Sequence, residues 1–360
     1  MSKERVLVVG CGGIAGAWFP PLIQEKVTIA GVVDIKRENA QQRLEKFKVE
    51  APIFTDLRKA LRSVEADFVV DLTVPAAHCQ VTCAALAAGL PVIGEKPMAD
   101  SMAAARRMVA ASKKAGKLYM VSQSRRWDPK HDLTARLVKD GKIGPLTAVN
   151  CQFYIGAHFG GFRDKMPSPL ILDMAIHHFD MVRCITGVDP VSVYAKEFNP
   201  AGSWYKGDVA ASCIFEMTGG VVFTYVGSWC AEGCQTSWDG DWRFQGVKGA
   251  LMMEQGQPPR GQVVDARNGK GLLWPRKDIP FRPHGSSTSA CTGPCAKCWP
   301  TCAPAKSPRP TATTTSSRWR WSSPPSKAHA RAGPSPCGHC SRRATIYSFQ
   351  ALAKALKLRS

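Results

Sequence analysis

The chain has 360 residues, 44% of them hydrophobic, and carries 48 Lys and Arg against 28 Asp and Glu, a formal charge of +20. That length allows two domains with separate cores, and no apolar run approaches the roughly 18 residues of a membrane span. The charge would point to nucleic acid, but 12 of the basic residues and none of the acids fall in 287–360. The excess is mainly a property of that tail, so nucleic acid is not the expected partner. The opening "MSKERVLVVG" runs from a short apolar stretch into glycines with no cleavage signal, and a cytoplasmic protein is expected.

"RVLVVG" reads as a buried strand that stops at "GCGGIAG", residues 10–16, before "AWFPPLIQ". Strand, glycine turn and helix in that order suit a pyrophosphate. Gly10 permits the tight turn, Gly12 allows close approach of backbone, and the small Ala15 lets helix and strand pack. Free N–H groups at the helix start, near Gly13 and Ile14, add partial positive charge. A second strand, "VTIAGVVD", ends in Asp34 about 20 residues after the glycines, where an acid meets ribose hydroxyls. A carboxylate there favours NAD over NADP, although Lys36 and Arg37 leave NADP open.

The alternation continues through "ADFVVDLTVP" (strand), "AAHCQVTCAALAAG" (helix), "LPVIGEKPM" (strand), "DSMAAARRMVAASKKAG" (helix) and "KLYMVSQS" (strand). Alternating strands and helices imply a parallel sheet covered on both faces, with ligands at the carboxyl ends of the strands. Thr73, Pro75 and His78 follow one such end, Glu95 and Lys96 another, and all five are expected to meet the cofactor.

After "SRRWDPKHDLTARLVKDGKIG" the texture changes. "LTAVNCQFYIGA", "VSVYAKEF", "VAASCIFEM", "GVVFTYVGSW" and "GALMME" are β-branched and aromatic and read as a mostly antiparallel sheet. A single helix is expected over 168–187. At about 100° per residue, Asp173, His177 and Asp180 share a narrow stripe, while His178 points away. Such a stripe fits a solvated face, a metal site, or an acid–base site in which Asp173 and Asp180 orient and tune His177.

Four features together, "GCGGIAG", "GEKPM" at 94–98, "SRRWDP" at 124–129 and D-x-x-x-H-x-x-D at 173–180, resemble the Gfo/Idh/MocA family of NAD(P)-dependent oxidoreductases. They occur in the family's order over roughly residues 5 to 285. The resemblance implies an α/β protein: a Rossmann domain (1–123) with a doubly wound parallel sheet, then an α+β domain (124–286) with an open, mostly antiparallel sheet. It implies hydride transfer between NAD(H) and a carbon of a sugar, cyclitol or related polyol, with Lys96 and His177 as the catalytic pair and Asp173 in support. Arg125 and Asp180 are expected at the substrate, and no metal is expected. Arg126 and Arg163 could face the pocket or the surface, and Trp127 and Trp204 could cover a sugar face or lie in the core. Other readings are NAD-dependent glycoside cleavage through transient oxidation, and a nucleotide-binding regulator without turnover. The open sheet face suggests a homo-oligomer.

The segment "CTGPCAKCWPTCAPAKSPRP" places four cysteines in twelve positions, and "CGHC" follows at 337–340. The spacing is near zinc and iron–sulfur patterns but matches none, and no thioredoxin-like frame precedes "CGHC". Family chains finish instead with amphipathic helices. Cys and Trp codons begin TG; read one base earlier, each becomes NTG and encodes Leu, Met or Val. Positions 291, 295, 298, 299 and 302 then form an apolar helix face. A shift of reading frame near residue 287 is therefore expected. As written, 287–360 is rich in Pro, Ser and Thr, and irregular structure is expected to 343, with a short helix in "YSFQALAKALKL".

Overall fold

The structure, a computed structural model, describes residues 4–281. The cysteine-rich tail, its expected short helix and the expected frame shift lie outside the described residues.

The first half alternates as its hydrophobic pattern demands: β1 (Arg5–Val9), α1 (Ala15–Gln24), β2 (Thr28–Val33), α2 (Arg37–Phe47), β3 (Ile53–Phe54), α3 (Leu57–Ser63), β4 (Phe68–Asp71), α4 (Pro75–Ala87), β5 (Val92–Gly94), α5 (Met102–Ala115) and β6 (Tyr119–Val121). All six strands are parallel, in the order β3-β2-β1-β4-β5-β6. Strand order reverses between β1 and β4, which opens a crevice beyond their carboxyl ends. The central strands are buried on both faces, with Val6, Leu7, Val8, Val69 and Val70 inaccessible. The pattern marks α2, β3 and α3 only faintly. Helix α2 buries just Ala40 and Leu44, and β3 is two residues long.

The second half begins with α6 (Pro129–Lys139), started by the Asp128 side chain accepting from the Lys130 N–H, and by a proline that needs no partner at the first helical position. It continues through β7 (Leu146–Tyr154), α7 (Ile176–Thr186), β8 (Pro190–Phe198), β9 (Ala210–Met217), β10 (Val222–Ser228), β11 (Asp241–Gly246), β12 (Gly249–Met253), β13 (Arg260–Val264) and β14 (Arg276–Asp278). These strands form one sheet in the order β14-β13-β12-β11-β7-β10-β9-β8. Every neighbouring pair is antiparallel except β7 and β10. The inner face presents Cys151, Phe153, Phe215, Phe223, Tyr225, Trp242 and Phe244 in a core shared with Leu137 of α6 and Met181, Val182 and Ile185 of α7. Strand β11 carries no continuous apolar run, because Trp242 and Phe244 alternate with Asp241, Arg243 and Gln245.

The helix expected over 168–187 is present but not uniform. Leu170–Ala175 is wound as a π-helix, and α7 follows directly to a left-handed cap at Gly187. The wider π turn changes the angle between Asp173 and His177, and with it the partners each can reach.

At its first residue, Gly10, the β1–α1 turn leaves no room for a side chain. Gly10 has φ +94°, and a Cβ there would stand 2.7 Å from the Leu72 carbonyl carbon. Gly10→Ala is expected to cost about 2 kcal/mol or more, from left-handed strain plus the clash with β4. Urea unfolding monitored by circular dichroism measures this, and a midpoint equal to that of the parent chain would refute it.

Candidate active site

The crevice is built by backbone and by one buried carboxylate. Asp34, 8% exposed, accepts the Cys11 N–H through Oδ2 at 2.8 Å. Its Oδ1 accepts from the Lys36 N–H and the Asn39 amide. The acid therefore ties the turn after β1 to the turn after β2. Arg43 of α2 donates to the Gly12 carbonyl at 2.7 Å and braces the same turn. At Gly12 and Gly13 an added Cβ would meet nothing within 4 Å, so the turn shows an open backbone surface. Ile14 stands at the start of α1, half-exposed, and no side chain caps that helix. Ala15 is buried against the sheet. An uncapped helix start, bare glycine backbone and an acid at the end of β2 fit a dinucleotide.

After β4, the Thr73 hydroxyl donates to Asp71 Oδ1 at 2.6 Å, just before Pro75 opens α4. His78 is 1% exposed, its Nδ1 3.1 Å from Asp71. It supports this turn from behind and presents no surface to the crevice. After β5, Glu95 accepts from the Trp18 indole at 2.7 Å and from the Lys96 N–H at 3.0 Å.

Lys96 reaches across to the π turn. Its Nζ donates to Asp173 Oδ1 at 2.8 Å and to the Asp173 carbonyl at 3.0 Å. The other carboxylate oxygen, Oδ2, accepts from Arg163 Nε at 2.5 Å. The Arg163 guanidinium itself lies 4.9 and 4.7 Å from the ring centres of Phe159 and Phe162. Asp173 is 5% exposed, so the stripe is not a solvated face. Burial opposes its charge, but Lys96 and then Arg163 outweigh burial and hold the carboxyl below the usual carboxylate range.

Neither acid of the stripe pairs with His177, unlike in the acid–base reading, one of three that the sequence leaves open. Asp173 is taken by Lys96 and Arg163, and Asp180 by Arg126 through paired bonds of 2.6 and 2.5 Å. Cations outcompete a neutral imidazole for a carboxylate. His177 Nδ1 instead lies 2.9 Å from Gln123 Oε1. Burial, followed by the charges of Arg125 and Lys96, pushes His177 far below the ordinary histidine value. Arg125 is also largely enclosed, donating to Asp239 at 2.8 Å and to the Trp238 carbonyl at 2.6 Å. His178 turns into the core against Phe153, with ring centres 4.9 Å apart. Burial and then the Arg125 charge push it down to about 3. Trp127 is 45% exposed, whereas the Trp204 indole donates to the Ala157 carbonyl.

The structure thus joins Lys96 to Asp173, sets His177 within the field of Lys96 and Arg125, and commits Arg125 and Asp180 to other protein groups. Sequence reading missed Gln123 and Asp239. Gln123 had an available signal, since it follows the carboxyl end of β6, where the sheet rule places ligand-facing residues. Asp239, in a loop between strands, had none.

Comparison with known proteins places the chain among oxidoreductases by family and fold. Residues 4–123 match the family model described as GFO_IDH_MocA, oxidoreductase family, NAD-binding Rossmann fold, and residues 131–252 match the GFO/IDH/MocA C-terminal domain. The chain is 30% identical over 254 residues to the uncharacterized protein y4oX of Sinorhizobium fredii, covering 68% of this chain and 69% of that one. It is 29% identical over 196 residues to an inositol 2-dehydrogenase of Arthrobacter sp., covering 53% of this chain and 57% of the relative. Its match therefore spans little more than half of that enzyme's length. The fold is similar to an oxidoreductase from Agrobacterium radiobacter solved with NAD+, L-tartaric acid and magnesium, at TM-score 0.70 and 20% identity, covering 80% of this chain and 82% of that one.

Burial lowers the pKa of His131, His177 and His178. The unfolded chain, with histidines near 6.5, binds protons that the folded chain refuses. Stability is therefore whole above about pH 6.5 and falls below it, by up to about 1.4 kcal/mol per pH unit for a histidine that stays neutral in the fold. Replacing His178 with Phe should flatten the fall in unfolding free energy between pH 6 and 5 by about one proton. Urea titrations at stepped pH measure the slope, and an unchanged slope would refute the assignment.

Proposed function

Because this chain belongs to the GFO/IDH/MocA family of NAD-binding oxidoreductases, we propose that it moves a hydride between NAD(H) and a carbinol or carbonyl carbon of a sugar, cyclitol or related polyol. The observation that carries this reading is the Lys96–Asp173 pair at the carboxyl end of β5, with His177 one helical turn further on. Bound along the crevice, the nicotinamide supplies the hydride acceptor for an alcohol or the hydride donor for a carbonyl.

The protein supplies position and proton handling. Gly10, Gly12 and Gly13 leave backbone free for the phosphates, and Ile14 and Ala15 begin the helix that faces them. Asp34 stands at the ribose hydroxyls, which favours NAD over NADP. Thr73, Pro75, Glu95 and Lys96 form the wall nearer the reacting end. Lys96, held by Asp173, places its ammonium at the substrate oxygen and stabilises negative charge developing there. The neutral His177 takes the hydroxyl proton in oxidation and returns it in reduction. Arg125 and Asp180, each already ion-paired, shape the substrate pocket and need not bind the substrate by charge. A polyol substrate accords with the inositol 2-dehydrogenase relative. The regulator reading lacks a reason for a neutral histidine beside a fixed lysine.

Two further parts belong to this reading. The outer face of the second sheet exposes Tyr194, Ile214, Val222 and Val226, an apolar surface suited to a second copy of the chain. A cytoplasmic setting accords with the free thiols of Cys79 and Cys83, which interact on α4 without bonding. No helix among the described residues is long and apolar enough to cross a membrane.

The test is NADH binding by fluorescence, followed by a polyol panel read at the reduced-nicotinamide absorbance band. Lys96→Met and His177→Ala should each lower kcat by about 100-fold or more while NADH affinity stays within about threefold, a change of under 1 kcal/mol. Full activity in either variant removes that residue from the mechanism.

A further inference from the structure

One of the three sequence readings has carboxylates tuning His177, yet its ring faces an uncharged amide. Gln123 Oε1 stands 2.9 Å from His177 Nδ1. The amide is not loosely placed. On one side, the Ser122 N–H donates to the Gly94 carbonyl at 2.8 Å and fixes the end of β6 against β5. On the other, the Arg126 N–H donates to the Gln123 carbonyl at 3.1 Å and starts the 3-10 turn Ser124–Trp127.

The charged groups acting on this imidazole are donors. Lys96 comes from the segment after β5 and Arg125 from the 3-10 turn, while His178, the next residue on α7, is kept neutral by its own burial. The nearby carboxylates are occupied: Asp173 by Lys96 and Arg163, Asp180 by Arg126, and Asp239 by Arg125 and Lys130. The amide oxygen of Gln123 can only accept a hydrogen bond, so the ring nitrogen beside it must be the donor. In the neutral ring, which carries a single N–H, that proton then belongs on Nδ1 and Nε2 keeps its lone pair.

We infer that Gln123 is a positioning residue that holds His177 as the neutral Nδ1–H tautomer, leaving Nε2 as the atom that accepts the substrate proton. This rests on the reading of His177 as the proton acceptor. In alcohol oxidation the carbinol C–H bond breaks with its electron pair going to NAD+. The O–H proton moves to Nε2, and the C=O bond forms. A glutamate at 123 would also orient the ring, but its charge would favour the imidazolium and remove the base. An amide orients the ring without charging it, which suits a site already holding two cations.

Two variants test this. Nitrogen-15 NMR of the histidine rings should show the His177 proton on Nδ1 in the parent chain. In Gln123→Met, which keeps size but has no comparable acceptor, the tautomer preference should weaken. Its kcat should fall about tenfold to 100-fold, with KM changed less than about threefold. In Gln123→Glu the carboxylate should raise the histidine pKa, so the base form appears only at higher pH. The ascending limb of kcat/KM should then move up by about one pH unit or more. A purely structural Gln123 would not move that limb. A His177 proton found on Nε2 in the parent chain overturns the inference, as does an unmoved limb in Gln123→Glu. The NMR result does not depend on turnover. The predicted tautomer in a chain that turns over no polyol would count against the dehydrogenase reading while leaving the positioning role in place.

Discussion

The site depends on one buried carboxylate shared by two cations. Taking an ionised Asp173 out of water costs several kcal/mol, and a single ion pair often fails to repay that cost. Here each oxygen accepts from a different donor, Lys96 on one side and Arg163 on the other, and the Asp173 carbonyl takes a further bond from Lys96. Lys96 follows a strand of the parallel sheet, whereas Asp173 lies in the π turn that leads into α7 against the second sheet. The same contact that makes the buried acid tolerable therefore fixes a lysine of one sheet relative to a helix of the other.

That arrangement leaves more positive than negative charge at its centre. One carboxylate cannot neutralise two cations, and Arg125 adds its field from the neighbouring turn. The consequence falls on His177, which burial and these charges keep unprotonated. In the proposed oxidation, where His177 accepts the alcohol proton, a neutral resting state is required, and the surrounding cations would favour the alkoxide character that develops as the proton leaves. The cost is that the imidazolium formed is poorly stabilised. The proton must therefore pass on quickly or return, which suits reversible redox chemistry better than storage of charge.

Much of the framework could be read from the chain. The glycine turn, the acid ending β2 and the alternating elements gave the parallel sheet, because period and turn chemistry are local properties. The β-branched alternation of β7, β9 and β10 announced the second sheet. The partners were not legible. Spacing placed Asp173, His177 and Asp180 on one helix face, but spacing cannot say that Arg126 and Arg163 arrive first at the acids. It also assumed 3.6 residues per turn where the π turn widens the winding before α7. His78 looked like a crevice residue from its place after β4, yet its ring serves the buried Asp71. The side-chain partners and the local winding are both settled by tertiary packing, which spacing along the chain does not encode.

The segment at 123–126 shows how tightly chain path and chemistry are joined here. Gln123 holds His177, Arg125 holds Asp239 and the Trp238 carbonyl, and Arg126 holds Asp180. Three of four consecutive residues thus clamp α7 and the loop before β11 around a single imidazole. The same segment is where the chain leaves β6 and enters α6, crossing from one sheet to the other. A 3-10 turn suits this place because its tighter winding sends neighbouring side chains in well-separated directions. Arg125 and Arg126, adjacent in sequence, can then reach different elements. The crossing between sheets is therefore also the element that sets the geometry of the site, and a shift of the crossing would move all three of these contacts together.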